Sequence, residues 1–332
     1  MSGPTVLVTG ATGFLGSRLV AQLTRQGFRV RAFVRRTSNT ARLQATAAML
    51  HFGDVKDVES LSSAMKGVTV VVHAAADTSG DAQSGQLITV QGTRNVIQAA
   101  MAGGIRQLIY LSSCSVYGIT DCQPWQRIDE TGPIERHPEM RGHYSEAKLK
   151  AEQDVLAAMG KGALKVTCLR PGTIWGPGGE TFTPMMGFKV GRRLIGIIGS
   201  GRFILPLVYL DNLVAAILTC IDHPGAYDQI FNVVDPTPVD KNTYTRKVLK
   251  PLFPGALFFR IPYWALYATV ACQEVVFKAL GRRPVLSRYR LVSSQRPVKV
   301  EGGKIARQLG WSPPMGFDAA VQEVLRFERG QG

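Results

Sequence analysis

The stretch "TVLVTGATGFLG", residues 5 to 16, constrains this chain more than any other. An apolar run suited to a buried strand leads straight into Gly10, Gly13 and Gly16, and a helical pattern follows from Phe14 to Gln26. In such a strand-turn-helix the first glycine permits a tight turn, the second lets the backbone approach a pyrophosphate, and the third lets helix and strand pack closely. The N–H groups that open the helix then attract the anion, aided by the helix dipole. With 35 glycines in 332 residues the spacing alone is weak, and the flanking patterns give it its weight. Gly10, Thr12, Gly13, Phe14, Leu15 and Gly16 are therefore candidate nucleotide-binding residues.

The first half of the chain repeats this rhythm. "FRVRAFV", "VTVVVHAA", "RQLIYLS" and "LKVTCLR" alternate with helical stretches at 60–65, 92–102 and 143–159. Strands alternating with helices predict right-handed βαβ units, hence an α/β fold with a doubly wound parallel sheet. After Arg170 the pattern breaks into "PGTIWGPGGETFTP", too rich in Gly and Pro for regular structure. "LPLVYLDNLVAAILTCI" predicts a strand entering a helix, with Asp211 placed to cap it, and "YDQIFNVVD" predicts a strand that returns to the main sheet. The expected division is a dinucleotide-binding domain over 1–173, joined by a strand near 227–235, and a smaller, partly discontinuous substrate region over 174–226 and 236–332.

Composition is globular, with 45% hydrophobic and 19% charged residues. The five cysteines are odd in number and contain no C-x-x-C pair, which predicts a reducing compartment and no metal site. No basic start with an apolar run precedes the first strand, so no signal peptide is expected and the expected location is cytoplasmic. The formal charge is +15, and from Lys241 onward 16 Lys and Arg face 5 Asp and Glu. That asymmetry suits an anionic partner, while the absence of nucleic-acid-binding signatures argues against nucleic acid. In the segment 261–284, "IPYWALYATVACQEVVFKALGRRP", the apolar part runs only from Ile261 to Phe277, at the lower limit of a bilayer span, and holds Glu274 and Gln273, so a transmembrane helix is not expected. Followed by Arg282 and Arg283, the segment reads either as a peripheral membrane contact or as a lid over the substrate pocket.

Candidate chemistry comes from three further places. The second strand ends in Arg35 and Arg36 with no acid nearby, which favours a 2′-phosphate and hence NADP(H), with NAD as the alternative. Asp54, in the next connection, is placed to meet the adenine amine. "YSEAK" sets Tyr144 and Lys148 one helical turn apart, where an ammonium can stabilise a phenolate. In "YLSSCSVYG" a strand reaches its carboxyl edge, the ligand side of doubly wound sheets, and Ser112, Ser113 and Ser115 compete to hold a substrate oxygen.

In combination "TGATGFLG", "HAAA" at 73–76, "SSCSVYG", "YSEAK" and "RPGTIWGPG" occur in the order and spacing of the extended short-chain dehydrogenases/reductases, the NAD-dependent epimerase/dehydratase superfamily, which the chain resembles from residue 5 to about 330. The resemblance implies a Rossmann domain and a bound nicotinamide cofactor touching the glycine loop, Asp54, Val55, Ala74, Ala75, Tyr144, Lys148, Pro171 and Gly172. It implies Tyr144 as acid/base, Lys148 on the nicotinamide ribose and lowering the tyrosine pKa, and Ser113, by its interval before "VYG", orienting the carbonyl. It further implies a homodimer as the expected assembly. Two features distinguish this chain. Thr89 stands where the family usually has Asn, and Cys114 and Ser115 stand where sugar-nucleotide dehydratases carry acids. Dehydration is therefore not expected. The carboxyl-terminal half is similar to the 3β-hydroxysteroid dehydrogenase-like and dihydroflavonol-reductase-like branches. The expected activity is NAD(P)-dependent interconversion of a secondary alcohol and a ketone on a lipophilic, sterol-like or isoprenoid small molecule. The alternatives are a nucleotide-sugar epimerase with retained NAD and a cofactor-sensing binding protein.

Overall fold

A computed structural model describes residues 3–282, 284 and 286–330. Seven parallel strands form the central sheet: β1 (Thr5–Thr9), β2 (Arg29–Val34), β3 (Met49–Phe52), β4 (Val70–His73), β5 (Gln107–Leu111), β6 (Lys165–Pro171) and β7 (Gln229–Val233). Their order across the sheet is β7-β6-β5-β4-β1-β2-β3, so the chain winds outward from β1 first to one edge and then to the other. The strand order reverses between β1 and β4, and a doubly wound sheet opens its ligand crevice at such a point. The inner strands are Val-, Ile- and Leu-rich because both of their faces are covered.

On one face pack α1 (Phe14–Arg25), whose Leu19, Val20 and Leu23 point inward, and later helices including Leu210–Cys220. The other face carries α2 (Val58–Met65), α3 (Gly92–Ala102) and α4 (His143–Ala158). α2 begins where the Asp57 side chain accepts from the Glu59 and Ser60 N–H groups, a carboxylate answering donors that the helix leaves free. α5 (Leu210–Cys220) begins differently. Asp211 lies inside its first turn and does not cap it. Both carboxylate oxygens instead take the Arg18 guanidinium, at 2.6 and 2.7 Å, which ties α5 to α1. A bidentate ion pair outcompetes the local cap that spacing alone predicts.

The Gly- and Pro-rich stretch after β6 holds a short strand, Thr173–Trp175, which pairs in parallel with Leu207–Tyr209. Trp175 seats a third core cluster, edge-on to Tyr209 and Tyr244 at 5.4 and 5.9 Å. Beyond lie a three-stranded sheet (Gly187–Val190, Leu194–Ile198, Leu257–Ile261), α6 (Tyr263–Ala279) and α7 (Arg288–Gln295). Among the described residues no helix is long and apolar enough to cross a membrane.

A buried ion pair fastens the sheet to α4. The Arg170 guanidinium at the end of β6 meets the Glu152 carboxylate of α4 at 2.6 Å, and both side chains are almost wholly buried. Arg170 Nη1 also donates to Tyr117 Oη (3.0 Å) and to the Glu130 carbonyl (3.1 Å), and Tyr117 Oη donates to Asn232 on β7 at 2.6 Å. The Ser112 hydroxyl and the Cys168 thiol complete the carboxylate's partners. With all its members satisfied the network is tolerable in a dry interior, but losing one partner strands the other. Glu152→Ala is expected to cost about 3–5 kcal/mol. The paired replacement Glu152→Leu with Arg170→Met is expected to recover most of that loss; urea midpoints of the single and double variants, if equal, would refute this account.

Candidate active site

The glycine turn takes its shape from backbone contacts. Gly10 has φ +68° and presses on the loop after β4: a Cβ there would lie 2.7 Å from Ala75 N and 2.8 Å from the Ala74 carbonyl. A Cβ on Gly16 would lie 2.1 Å from Gly10 O, so only glycine lets α1 pack this closely on the turn. The start of α1 has no side-chain cap and no acid in its first turn, which leaves its N–H groups to an anion. A groove of about 650 Å³ runs over this turn, lined by Gly10, Thr12, Gly13, Phe14 and Leu15, then by Arg35, Asp54, Val55 and Ala75. Ala74, Gly16 and Arg36 stand behind or beside it; Arg36 lies over the Phe52 ring at 5.7 Å. Asp54 accepts from the Lys56 N–H at 3.0 Å. The donors, the uncapped helix and the groove's size fit a dinucleotide.

His73 ends β4 in full burial, bonded to Thr9 Oγ1 at 2.7 Å and Thr93 Oγ1 at 3.0 Å. Burial lowers its pKa to about 3, with the Lys148 charge assisting, so the ring is a neutral brace between β1, β4 and α3. Thr89 serves the same loop, accepting from Asp77 N at 2.9 Å.

At the carboxyl edge of the sheet a second cavity, about 490 Å³, shares Leu15, Ala76 and Ile174 with the nucleotide groove, so the two are continuous. Ser113, Tyr144, Lys148, Pro171 and Gly172 all line it. Two short turns aim these groups. Ser113 ends the strand run and accepts from Ser115 N at 3.1 Å. Gly142, at φ +113°, separates the helix Pro138–Arg141 from α4, so that Arg141 closes one helix and Tyr144 opens the next into the same cavity. Among the three serines, which all line this cavity, Ser112 donates to Glu152, Ser113 accepts from Ser115 N, and the buried Ser115 hydroxyl has no hydrogen-bond partner among the described residues.

Burial raises the Tyr144 pKa and the Ser113 hydrogen bond opposes that rise. The Lys148 ammonium donates to the Leu111 carbonyl at 2.7 Å and lies over the Tyr110 ring at 5.3 Å. Burial lowers its own pKa to about 8. Neighbouring Cys114 is pushed up to about 12 by burial and stays a thiol. The remaining walls are mostly apolar, with Ile119, Met185, Phe203, Val298 and Val300, yet two guanidinium groups, Arg141 and Arg296, also border the cavity. Arg141 donates to the Tyr117 carbonyl at 2.8 Å and lies 3.6 Å from Glu135; Arg296 donates to the Cys122 carbonyl. Nothing in the motif pattern marks these two arginines. Their approach to Tyr144 depends on Gly142 and on α7, distant in sequence. Among the described residues of 261–284 none lines this cavity; Arg283 lies outside them. Among the described residues no cluster of three or more His, Cys, Asp or Glu side chains is arranged to hold a metal.

A family model, the NAD dependent epimerase/dehydratase family, matches residues 6–233. The chain belongs to that family. It is an enzyme of the extended short-chain dehydrogenase/reductase superfamily, whose members include oxidoreductases and epimerases dependent on NAD. It is 29% identical over 310 residues to a 4-hydroxy-2-methyl-3-oxo-4-farnesyl-3,4-dihydroquinoline-1-oxide ketoreductase of Stigmatella aurantiaca, covering 92% of this chain and 91% of that one. It is 34% identical over 328 residues to a 2-alkyl-3-oxoalkanoate reductase of Stenotrophomonas maltophilia, covering 96% and 98% respectively. The crystal structure of gox2253 superposes with a TM-score of 0.84 at 25% identity, over 99% of each chain.

The Lys148 shift sets a pH window. An unfolded lysine keeps its proton to its ordinary value of 10.5 and the folded one only to about 8, so burying the ammonium costs stability in full below pH 8. The cost fades as pH rises toward 10.5. The stability of Lys148→Met relative to the parent is expected to fall between pH 8 and 10.5. Urea midpoints of the cofactor-free proteins at intervals across that range check this; a gap independent of pH would contradict it.

Proposed function

We propose that this enzyme interconverts a ketone and a secondary alcohol on a lipophilic substrate, using NADP(H). The observation that carries this reading is the cavity itself: one wall offers a serine, a tyrosine and a lysine, and most of the rest is apolar, as a site must be to bury an apolar chain. The two guanidinium groups suit a substrate that carries an acidic or strongly polar group besides its hydrocarbon. A 2-alkyl-3-oxoalkanoate, on which the 34%-identical relative acts, has both features.

When bound, the nicotinamide donates or accepts the hydride. The protein's part is to hold the substrate oxygen and move one proton. Ser113 orients that oxygen by hydrogen bonding, and Tyr144 Oη gives it a proton in reduction or takes one in oxidation. Lys148, held by the Leu111 carbonyl, keeps a positive charge near the proton-transfer path, and its lowered pKa makes it responsive near pH 8. Arg35, in the groove beside Asp54, supports the preference for a 2′-phosphate, and Arg36 adds charge next to it in the chain.

Tyr144→Phe is expected to cut the rate of ketone reduction by roughly 10²-fold or more. Its NADPH affinity should stay within about threefold, because the phenol acts on the proton rather than on binding. Isothermal titration alongside steady-state rates with a 2-alkyl-3-oxo acid and a sterol ketone would separate the two effects, and loss of cofactor binding would assign the residue a structural role. Arg35→Ala with Arg36→Ala is expected to weaken NADPH by roughly tenfold or more and NADH little, since a charged contact to phosphate is lost. Equal losses, or NAD retained through purification, would turn the assignment toward a nucleotide-sugar epimerase.

A further inference from the structure

α6 is an apolar helix with almost nothing packed on it. Of Tyr263–Ala279 only Val270 is buried, while Trp264 is 76% and Val275 69% exposed, with Val276 and Leu280 exposed beyond them. A helix apolar on all sides normally lies inside a core or a bilayer. Pro262 joins α6 to the strand Leu257–Ile261, whose sheet has an exposed apolar face of its own. The strand register aligns Val190, Leu194 and Leu257 in one row, and Phe188, Gly196 and Phe259 in the next. Side chains two residues apart share a face, so both rows lie on the same side, opposite Ile195 and Ile197, which enter the core. All five side chains in these rows are exposed, Val190 by 67% and Leu257 by 64%. Gly196 leaves room for Phe259 and Ile261 to lie over the strand, since a Cβ would come within 3.0 and 2.6 Å of them.

The charge beside this surface has one sign. The turn between Val190 and Leu194 carries Arg192 and Arg193, and the end of α6 carries Lys278, with Arg282 just after it. The acid on α6, Glu274, is paired with Arg288 at 2.6 Å. A cavity of about 340 Å³, lined by Tyr263 and the exposed Trp125, shares Phe203 and Arg296 with the substrate cavity. A second copy seated on this surface would set like charges against each other, whereas an anionic lipid bilayer meets both the apolar area and its basic border.

We propose that α6 and the exposed face of the three-stranded sheet dock on an anionic lipid bilayer, which puts the Tyr263-lined cavity at the membrane surface. The docking holds whatever the substrate proves to be. Flotation of the full chain with phosphatidylcholine vesicles, with and without phosphatidylglycerol, tests it. Binding is expected to need the anionic lipid and to weaken as salt rises from about 0.05 M to about 0.5 M. Val275→Glu with Val276→Glu, at exposed positions, is expected to lower vesicle binding by roughly tenfold or more and leave NADPH affinity unchanged. No flotation with anionic vesicles at low salt, or equal flotation of the variant, would overturn the proposal. So would a dimer in solution that the same variant splits, because the surface would then belong to a second copy.

Discussion

The Arg170–Glu152 pair stands beneath everything the site does. Glu152 lies one helical turn after Lys148, which lies one turn after Tyr144, so the ion pair pins to the sheet the same helix that carries both chemical groups. Ser112, which shares the carboxylate, is the neighbour of Ser113. One buried interaction thereby fixes the helix and the strand end relative to each other, and Asn232 extends the tie to β7 through Tyr117. Charges so deeply buried cost desolvation, which their mutual contact and hydrogen bonds must offset. The return is geometric: Tyr144 and Ser113, 31 positions apart in the chain, line one cavity.

Desolvation also sets the chemistry above that pair. It lowers Lys148 to about 8, holds His73 neutral and keeps Cys114 a thiol, so one cause yields three outcomes according to which form of each group is charged. Tyr144 is raised by the same cause. Its phenol therefore keeps its proton at neutral pH. The guanidiniums of Arg141 and Arg296 are the exceptions in a mostly apolar cavity, and they give it polarity without a carboxylate competing for the substrate oxygen at Tyr144.

Much of the fold was legible because it rests on local rules. Period-two and period-3.6 patterns mark the strands and helices of a parallel sheet, and a glycine whose Cβ would strike the Gly10 carbonyl leaves its trace at residue 16. Tyr144 and Lys148 were legible because a helix places them on one face. Asp211 was misread as a cap because its partner, Arg18, lies 193 residues away. The contact of the Lys148 ammonium with the Leu111 carbonyl was not legible, because it joins two elements 37 residues apart. The 261–284 segment was legible as apolar but not as a helix, Tyr263–Ala279, of which only Val270 is buried, since burial depends on what packs against it.

The sequence by itself determined the doubly wound sheet, the tight glycine turn and the helix that carries both Tyr144 and Lys148, because each depends on residues within a helical turn or a strand-turn-helix of one another. Only the tertiary structure decided that Ser112 is taken up by Glu152, which arginines border the cavity and which apolar surface is left exposed. Those outcomes depend on which side chains from distant segments meet and exclude water together, and hydrophobic pattern along a chain records burial without naming the partner.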